Sequence, residues 1–120
     1  MRILIVDDEF HVATVLAESV RLQGHEAIVA LSGQEGLALL DQMALDAVFL
    51  DIVMPKLSGI EVLRRIRETH PDLSVIVITG RASSKEIDEA RRLGVSDVIE
   101  KPLALRNLDE ALESLKTNRP

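Results

Sequence analysis

A chain of 120 residues that is 47% hydrophobic and 28% charged has a globular composition and enough length to bury a core without covalent staples. It contains no cysteine, which excludes a disulfide framework, a thiolate nucleophile and a sulfur-ligated metal. A net charge of −6, the lack of any Lys/Arg block and the presence of only two aromatics, Phe10 and Phe49, exclude a nucleic-acid surface made of basic patches and stacking platforms.

The apolar run in "MRILIVDDE" is too short for a signal peptide, and no segment reaches membrane-spanning length, so a cytoplasmic chain without membrane contact is expected. In chain order, "ILIV" at 3–6 reads as a first strand. A helix follows from about Phe10 to Gln23, with Val12, Val15, Leu16 and Val20 on one face and Gly24 as its stop. "AIVA" at 27–30 is the second strand, and Ser32 with Glu35 has the spacing of a capping box that opens the second helix. "AVFL" at 47–50 is the third strand, ending in Asp51 and a turn marked by Pro55 and Gly59. Ser58 with Glu61 opens the third helix, which Pro71 ends. "VIVI" at 75–78 is the fourth strand, and Ser83 with Glu86 opens a fourth helix that Gly94 stops. "VSDVI" at 95–99 is the fifth strand. Leu105, Leu108, Leu112 and Leu115 mark a last helix before the tail "KTNRP". The histidines, His11, His25 and His70, are scattered and read as solvated.

The strand runs are near-continuous rather than alternating, as parallel strands covered on both faces require. Five βα units with short loops imply right-handed crossovers and an α/β, doubly wound parallel sheet. The expected organisation is a single domain over 1–120, ordered from about 2 to 116, with 117–120 as tail.

In such a sheet, sites form beyond the carboxyl ends of the strands. The first strand ends in Asp7, Asp8 and Glu9; the third in Asp51; the fourth in Thr79 and Gly80; the fifth in Glu100, Lys101 and Pro102. The second ends in Leu31 and Ser32, which carry no reactive group. Taken singly, Asp8 could cap a helix, Thr79 could finish a strand and Lys101 could be solvated. Taken together they ask for more, because carboxylates about 4 Å apart at an effective dielectric near 20 repel by roughly 4 kcal/mol per pair. A hard cation held by oxygen ligands would offset that repulsion, and Mg²⁺ suits a donor set without His or Cys. A lysine and a hydroxyl beside it complete a site for a phosphoryl group.

The segments "ILIVDDE", "VFLDIVMPKLSG", "VIVITG" and "VIEKP", in this order and spacing, resemble the receiver domains of two-component response regulators, over Arg2 to about Leu115. The resemblance implies a flavodoxin-like strand order 2-1-3-4-5. It implies that Asp51 is the phosphoacceptor in a phosphorelay, taking a phosphoryl group from a phosphohistidine of a sensor histidine kinase or histidine phosphotransfer protein. Asp7, Asp8, Asp51 and the backbone carbonyl of Val53 would hold Mg²⁺ (or Mn²⁺). Lys101 and Thr79 would contact phosphoryl oxygens, and the Lys101–Pro102 bond would be cis. Such a chain switches its partners by catalysing its own phosphorylation and dephosphorylation; it is not a turnover enzyme.

Three positions depart from the family's habit. Val98 stands where an aromatic switch residue is usual. Val53 and Arg81 flank the route of the hydrolytic water and are expected to tune the lifetime of the aspartyl phosphate. By family analogy Phe10, His11, Thr14, Val15 and Leu103 dock the kinase. The fourth helix, with Glu86, Asp88, Glu89, Arg91 and Arg92, joins the fifth strand and fifth helix in a candidate homodimer or effector face. The rival reading is a phosphorylation-independent docking receiver, kept open by Val98. A phosphatase of similar topology needs a second acid where Val53 stands. A flavodoxin-type flavin carrier needs a phosphate loop where the acidic "DDEF" stands. Both are rejected.

Overall fold

The computed structural model describes residues 1–101, 110–113 and 115. Its elements are β1 (Arg2–Val6), α1 (Phe10–Leu22), β2 (Glu26–Ala30), α2 (Gly33–Gln42), β3 (Ala47–Asp51), α3 (Gly59–Thr69), β4 (Ser74–Thr79), α4 (Ser84–Arg92) and β5 (Asp97–Glu100). All strand pairs are parallel and the order is β2-β1-β3-β4-β5, as expected. Residues 110–113 and 115 are helical, and Ala111, Leu112 and Leu115 are buried. Pro102, Leu103, Leu105, Leu108 and the tail lie outside the described residues.

Strand side chains alternate between two apolar layers. Ile3, Ile5, Phe49, Ile76, Ile78 and Ile99 face Ala13, Leu16, Ala17 and Val20 of α1 and Ala111, Leu112 and Leu115. Leu4, Val6, Val48, Leu50, Val75 and Val77 face Leu40 of α2, Ile60, Val62, Leu63 and Ile66 of α3, and Ala90 of α4. Both faces of the sheet are therefore covered, which is why the strands read as unbroken apolar runs. Truncating a fully buried ring such as Phe49 to Ala would cost about 3–5 kcal/mol.

The face of α1 differs from its expected one. Ala13 and Ala17 meet the sheet, whereas Val15 is half exposed. Small side chains let the helix lie close to the strands, so bulk alone misassigned the buried stripe.

Of the three Ser/Glu pairs, only Ser83 and Glu86 close a reciprocal capping box. Ser32 and Ser58 accept from the Glu35 and Glu61 N–H groups, but the Glu35 carboxylate accepts from Leu31 instead. Gly24 and Gly94 take positive φ, 87° and 75°, at the ends of α1 and α4. The fifth strand starts later than expected, at Asp97, although the Ser96 N–H still donates to the Val75 carbonyl at 2.7 Å. His25 is not simply solvated: it is half-buried, with Nδ1 3.0 Å from the Met1 amino group. His70 is likewise half-buried and meets Thr69 Oγ1 at 2.7 Å, while His11 is exposed.

Candidate functional site

Among the described residues the buried polar or charged side chains are Asp7, Asp51 and Thr79, all at or just past the carboxyl ends of β1, β3 and β4. Parallel pairing sets their depth. Val6 lies opposite Leu50, Asp51 opposite Ile78, and Thr79 opposite Glu100. Two ladder bonds extend past the strands, Asp7 N–H to Ala30 (3.1 Å) and Lys101 N–H to Thr79 (2.8 Å). Together they fix how far the strand-end residues stand above the sheet.

Each strand-end side chain also anchors the loop after it. Asp7 Oδ1 accepts from Glu9 N–H and Asp51 Oδ1 from Val53 N–H, both at 2.9 Å. Thr79 Oγ1 accepts from Ala82 N–H at 3.0 Å and from Arg81 N–H at 3.4 Å. These local turns hold side chain and loop as one unit. Thr79 Oγ1 acts as acceptor in both bonds, so its own hydrogen remains for another acceptor.

Lys101 joins the acids. Its Nζ donates to Asp51 Oδ2 at 3.0 Å and to Glu9 Oε1 at 2.9 Å, and lies 3.1 Å from Asp7 Oδ2 in ion-pair contact. Burial works against the ammonium, but its contacts with Glu9, Asp51 and Asp7 outweigh burial and hold its pKa above that of an ordinary lysine. Burial raises the Asp7 carboxyl above its usual value, although the Glu9 N–H and the Lys101 ammonium pull the other way. Glu9 is held below its usual value, chiefly by Lys101 and with help from Arg81.

Asp7, Asp8 and Asp51 each present an oxygen within 4.8 Å of the others. Asp8 is not the cap of α1, a position held by Glu9; Asp8 Oδ1 is buried and has no hydrogen-bond partner. An oxygen-only cluster with an orphaned buried carboxylate oxygen fits a hard divalent cation.

Gly59, expected as a turn residue, is the first residue of α3 and lies against the backbone of the β3 end. A Cβ there would fall 2.2 Å from Ile52 Cα and 2.3 Å from the Asp51 carbonyl oxygen. No side chain fits, so glycine lets α3 seat directly on the strand that carries Asp51.

The other expected residues sit around this centre. Arg81 is exposed and lines a cleft of about 730 Å³ with Glu9, His11, Val12, Val15, Gly80 and Lys101. Phe10 is 61% exposed and so lies at the surface, and Thr14 Oγ1 donates to its carbonyl. Val53 is half-buried against the α2–α4 layer. Val98 lies opposite Val77 and packs in the same layer. Glu9 was not singled out from the sequence, where an exposed acid at a helix start looks like helix charge balance; only its contact with Lys101 separates it.

A family model, the response regulator receiver domain, matches residues 3–113. The chain belongs to the response-regulator receiver family. The response regulator MprA of Mycolicibacterium vanbaalenii is 38% identical over 115 residues, 96% of this chain and 50% of that protein. The receiver therefore spans about half the length of the curated relatives it matches. A CheY-like receiver domain protein from Methanospirillum hungatei superposes with a TM-score of 0.91 at 30% identity, covering 97% of this chain and 94% of that one. The receiver domain of NtrX from Brucella abortus gives 0.89 at 34% identity, covering 97% and 99%. Among the described residues of the receiver, no helix is long and apolar enough to cross a membrane.

Proposed function

We propose that this receiver accepts a phosphoryl group on Asp51 from a phosphohistidine of a sensor histidine kinase or histidine phosphotransfer protein, in the cytoplasm, and so changes what it binds. The observation that supports this most is the convergence of Asp7, Asp8 and Asp51 around one edge, with Lys101 Nζ 3.0 Å from Asp51 Oδ2 and Asp8 Oδ1 left without a partner.

In the transfer, an Asp51 carboxylate oxygen forms a bond to phosphorus as the P–N bond to the donor imidazole breaks, and the electron pair stays with that nitrogen. Asp51 is held for attack by its place at the end of a central strand and by its bonds to Val53 N–H and Lys101. Lys101 balances charge on one phosphoryl oxygen, and the Thr79 hydroxyl donates to another. Asp7, Asp8, Asp51 and the Val53 carbonyl would hold Mg²⁺ or Mn²⁺. Such an ion supplies charge neutralisation at the phosphoryl oxygens. Water later attacks the aspartyl phosphate, returning free phosphate; Val53 and Arg81 stand beside that path and set its rate.

Readout is the less usual part. Val98 offers no ring to swing, so the Thr79–Ala82 turn, which opens the loop into α4, is the element that transmits the change. On α4, Glu86 is committed to its cap and Glu89 to Arg64 of α3 and Arg92, which leaves Asp88 and Arg91 exposed for a partner or second copy.

The test is intact mass after mixing with acetyl phosphate, with and without Mg²⁺. One phosphoryl adduct that requires Mg²⁺ is expected. Its absence in a folded protein would favour the docking-only receiver.

A further inference from the structure

Glu9 occupies the N-cap position of α1, yet its side chain caps nothing there. Its carboxylate instead reaches across to Lys101, and at 2.9 Å it is the nearest of the three acids around that ammonium. The other two, Asp7 and Asp51, are sealed in the fold and anchored by backbone N–H groups. The Glu9 side chain is 48% exposed.

An ammonium has three N–H donors, and here three carboxylates surround it. An incoming phosphoryl oxygen must compete with these carboxylates for a place beside Nζ. Asp7 and Asp51 have no room to leave. Glu9 has solvent on one side and a second cation at hand: Arg81 lines the same cleft and already acts on the Glu9 carboxylate.

Resting on the phosphoacceptor reading above, we propose that Glu9 is a positioning residue for phosphoryl transfer. It holds Lys101 in the unphosphorylated protein and gives it up to the incoming phosphoryl group, swinging toward Arg81 as it does. The negative charge of Glu9 thus competes with the donor for the same ammonium. It weakens binding of an anionic donor without entering the bond-making step.

The consequence is a split in the kinetics. Glu9→Gln should lower the half-saturating concentration of acetyl phosphate about fivefold, the worth of one half-exposed ion pair, with little change in the saturating rate. Because the contact faces solvent, parent and variant should converge as ionic strength rises. Glu9→Asp, which keeps the charge but shortens the reach, should fall between the two.

The experiment follows adduct formation by intact mass over a range of acetyl phosphate concentrations at low and high salt, for parent, Glu9→Gln and Glu9→Asp, each first shown to melt cooperatively. A lower half-saturation in Glu9→Gln that fades with salt supports the role. An unchanged half-saturation beside a normal parent overturns it while leaving Asp51 as phosphoacceptor. A lower melting temperature with no salt-dependent kinetic change also overturns it, reducing Glu9 to a structural ion pair. No adduct on the parent removes the phosphoacceptor reading and this role with it.

Discussion

Asp51 and Lys101, at the ends of β3 and β5, meet at 3.0 Å with their side chains only 3% and 13% exposed. Two buried carboxylates, Asp7 and Asp51, lean on that single ammonium. Removing one partner of a buried ion pair leaves charge without compensation and costs about 3–5 kcal/mol. Lys101→Met should therefore destabilise the metal-free protein by about that amount, and Mg²⁺ should recover much of it. Urea unfolding with and without Mg²⁺ measures both; a variant as stable as the parent would contradict the site's charge balance.

Asp7 should behave in the opposite sense. Burial raises its pKa, so folding favours its protonated form. A group with a raised folded pKa contributes most below its unfolded pKa, and that contribution is lost as pH rises through the folded value. Asp7→Asn carries no charge to bury. In metal-free buffer at neutral pH it should melt a few degrees above the parent, with the gap closing on acidification through the Asp7 range. Mg²⁺ should raise the melting temperature of the parent more than that of the variant, since preferential binding stabilises the folded state. Melting curves at several pH values test both signs.

Gly59→Ala should be severe. The added methyl would meet backbone atoms of Asp51 and Ile52, which cannot rotate away. Seating α3 elsewhere costs about 3 kcal/mol or more and moves the strand end that carries Asp51. Phosphoryl uptake by the folded fraction should fall as well, a result that separates a displaced Asp51 from mere loss of stability.

Arg67 ties α3 to the end of α4. Its guanidinium donates to the carbonyls of Leu93 (2.6 Å), Leu73 (2.7 Å), His70 (3.1 Å) and Gly94 (3.1 Å). Burial lowers its pKa, and the four carbonyls use its fork of donors. A lysine cannot span them, so Arg67→Lys should cost about 2 kcal/mol. Amide hydrogen exchange should quicken around Leu93 and Gly94 before it does at β1.

Most of this architecture was legible because a parallel sheet buried on both faces leaves little choice. Each β-branched run must be a strand, and each polar residue after it must land on the same edge. Asp51, Thr79 and Lys101 stood out for that reason. Val15 was misplaced because periodicity weighs bulk, whereas Ala13 and Ala17 face the sheet where the helix must come close. Gly59 read as a turn because its requirement is a contact between α3 and β3, which no local window contains. Arg67 went unmarked, and Glu9 was placed at the first strand's end without a role, for a related reason: an exposed-looking charge reveals its purpose only when its partners, 26 and 92 residues away, are in place.

On the function proposed above, Asp51 itself carries the phosphoryl group. The most direct test treats the protein with acetyl phosphate and Mg²⁺, reduces it with borohydride and maps the peptides by mass. Reduction of an aspartyl phosphate leaves homoserine, which is expected at residue 51 alone. Homoserine elsewhere, or an adduct that persists in Asp51→Asn, would contradict it.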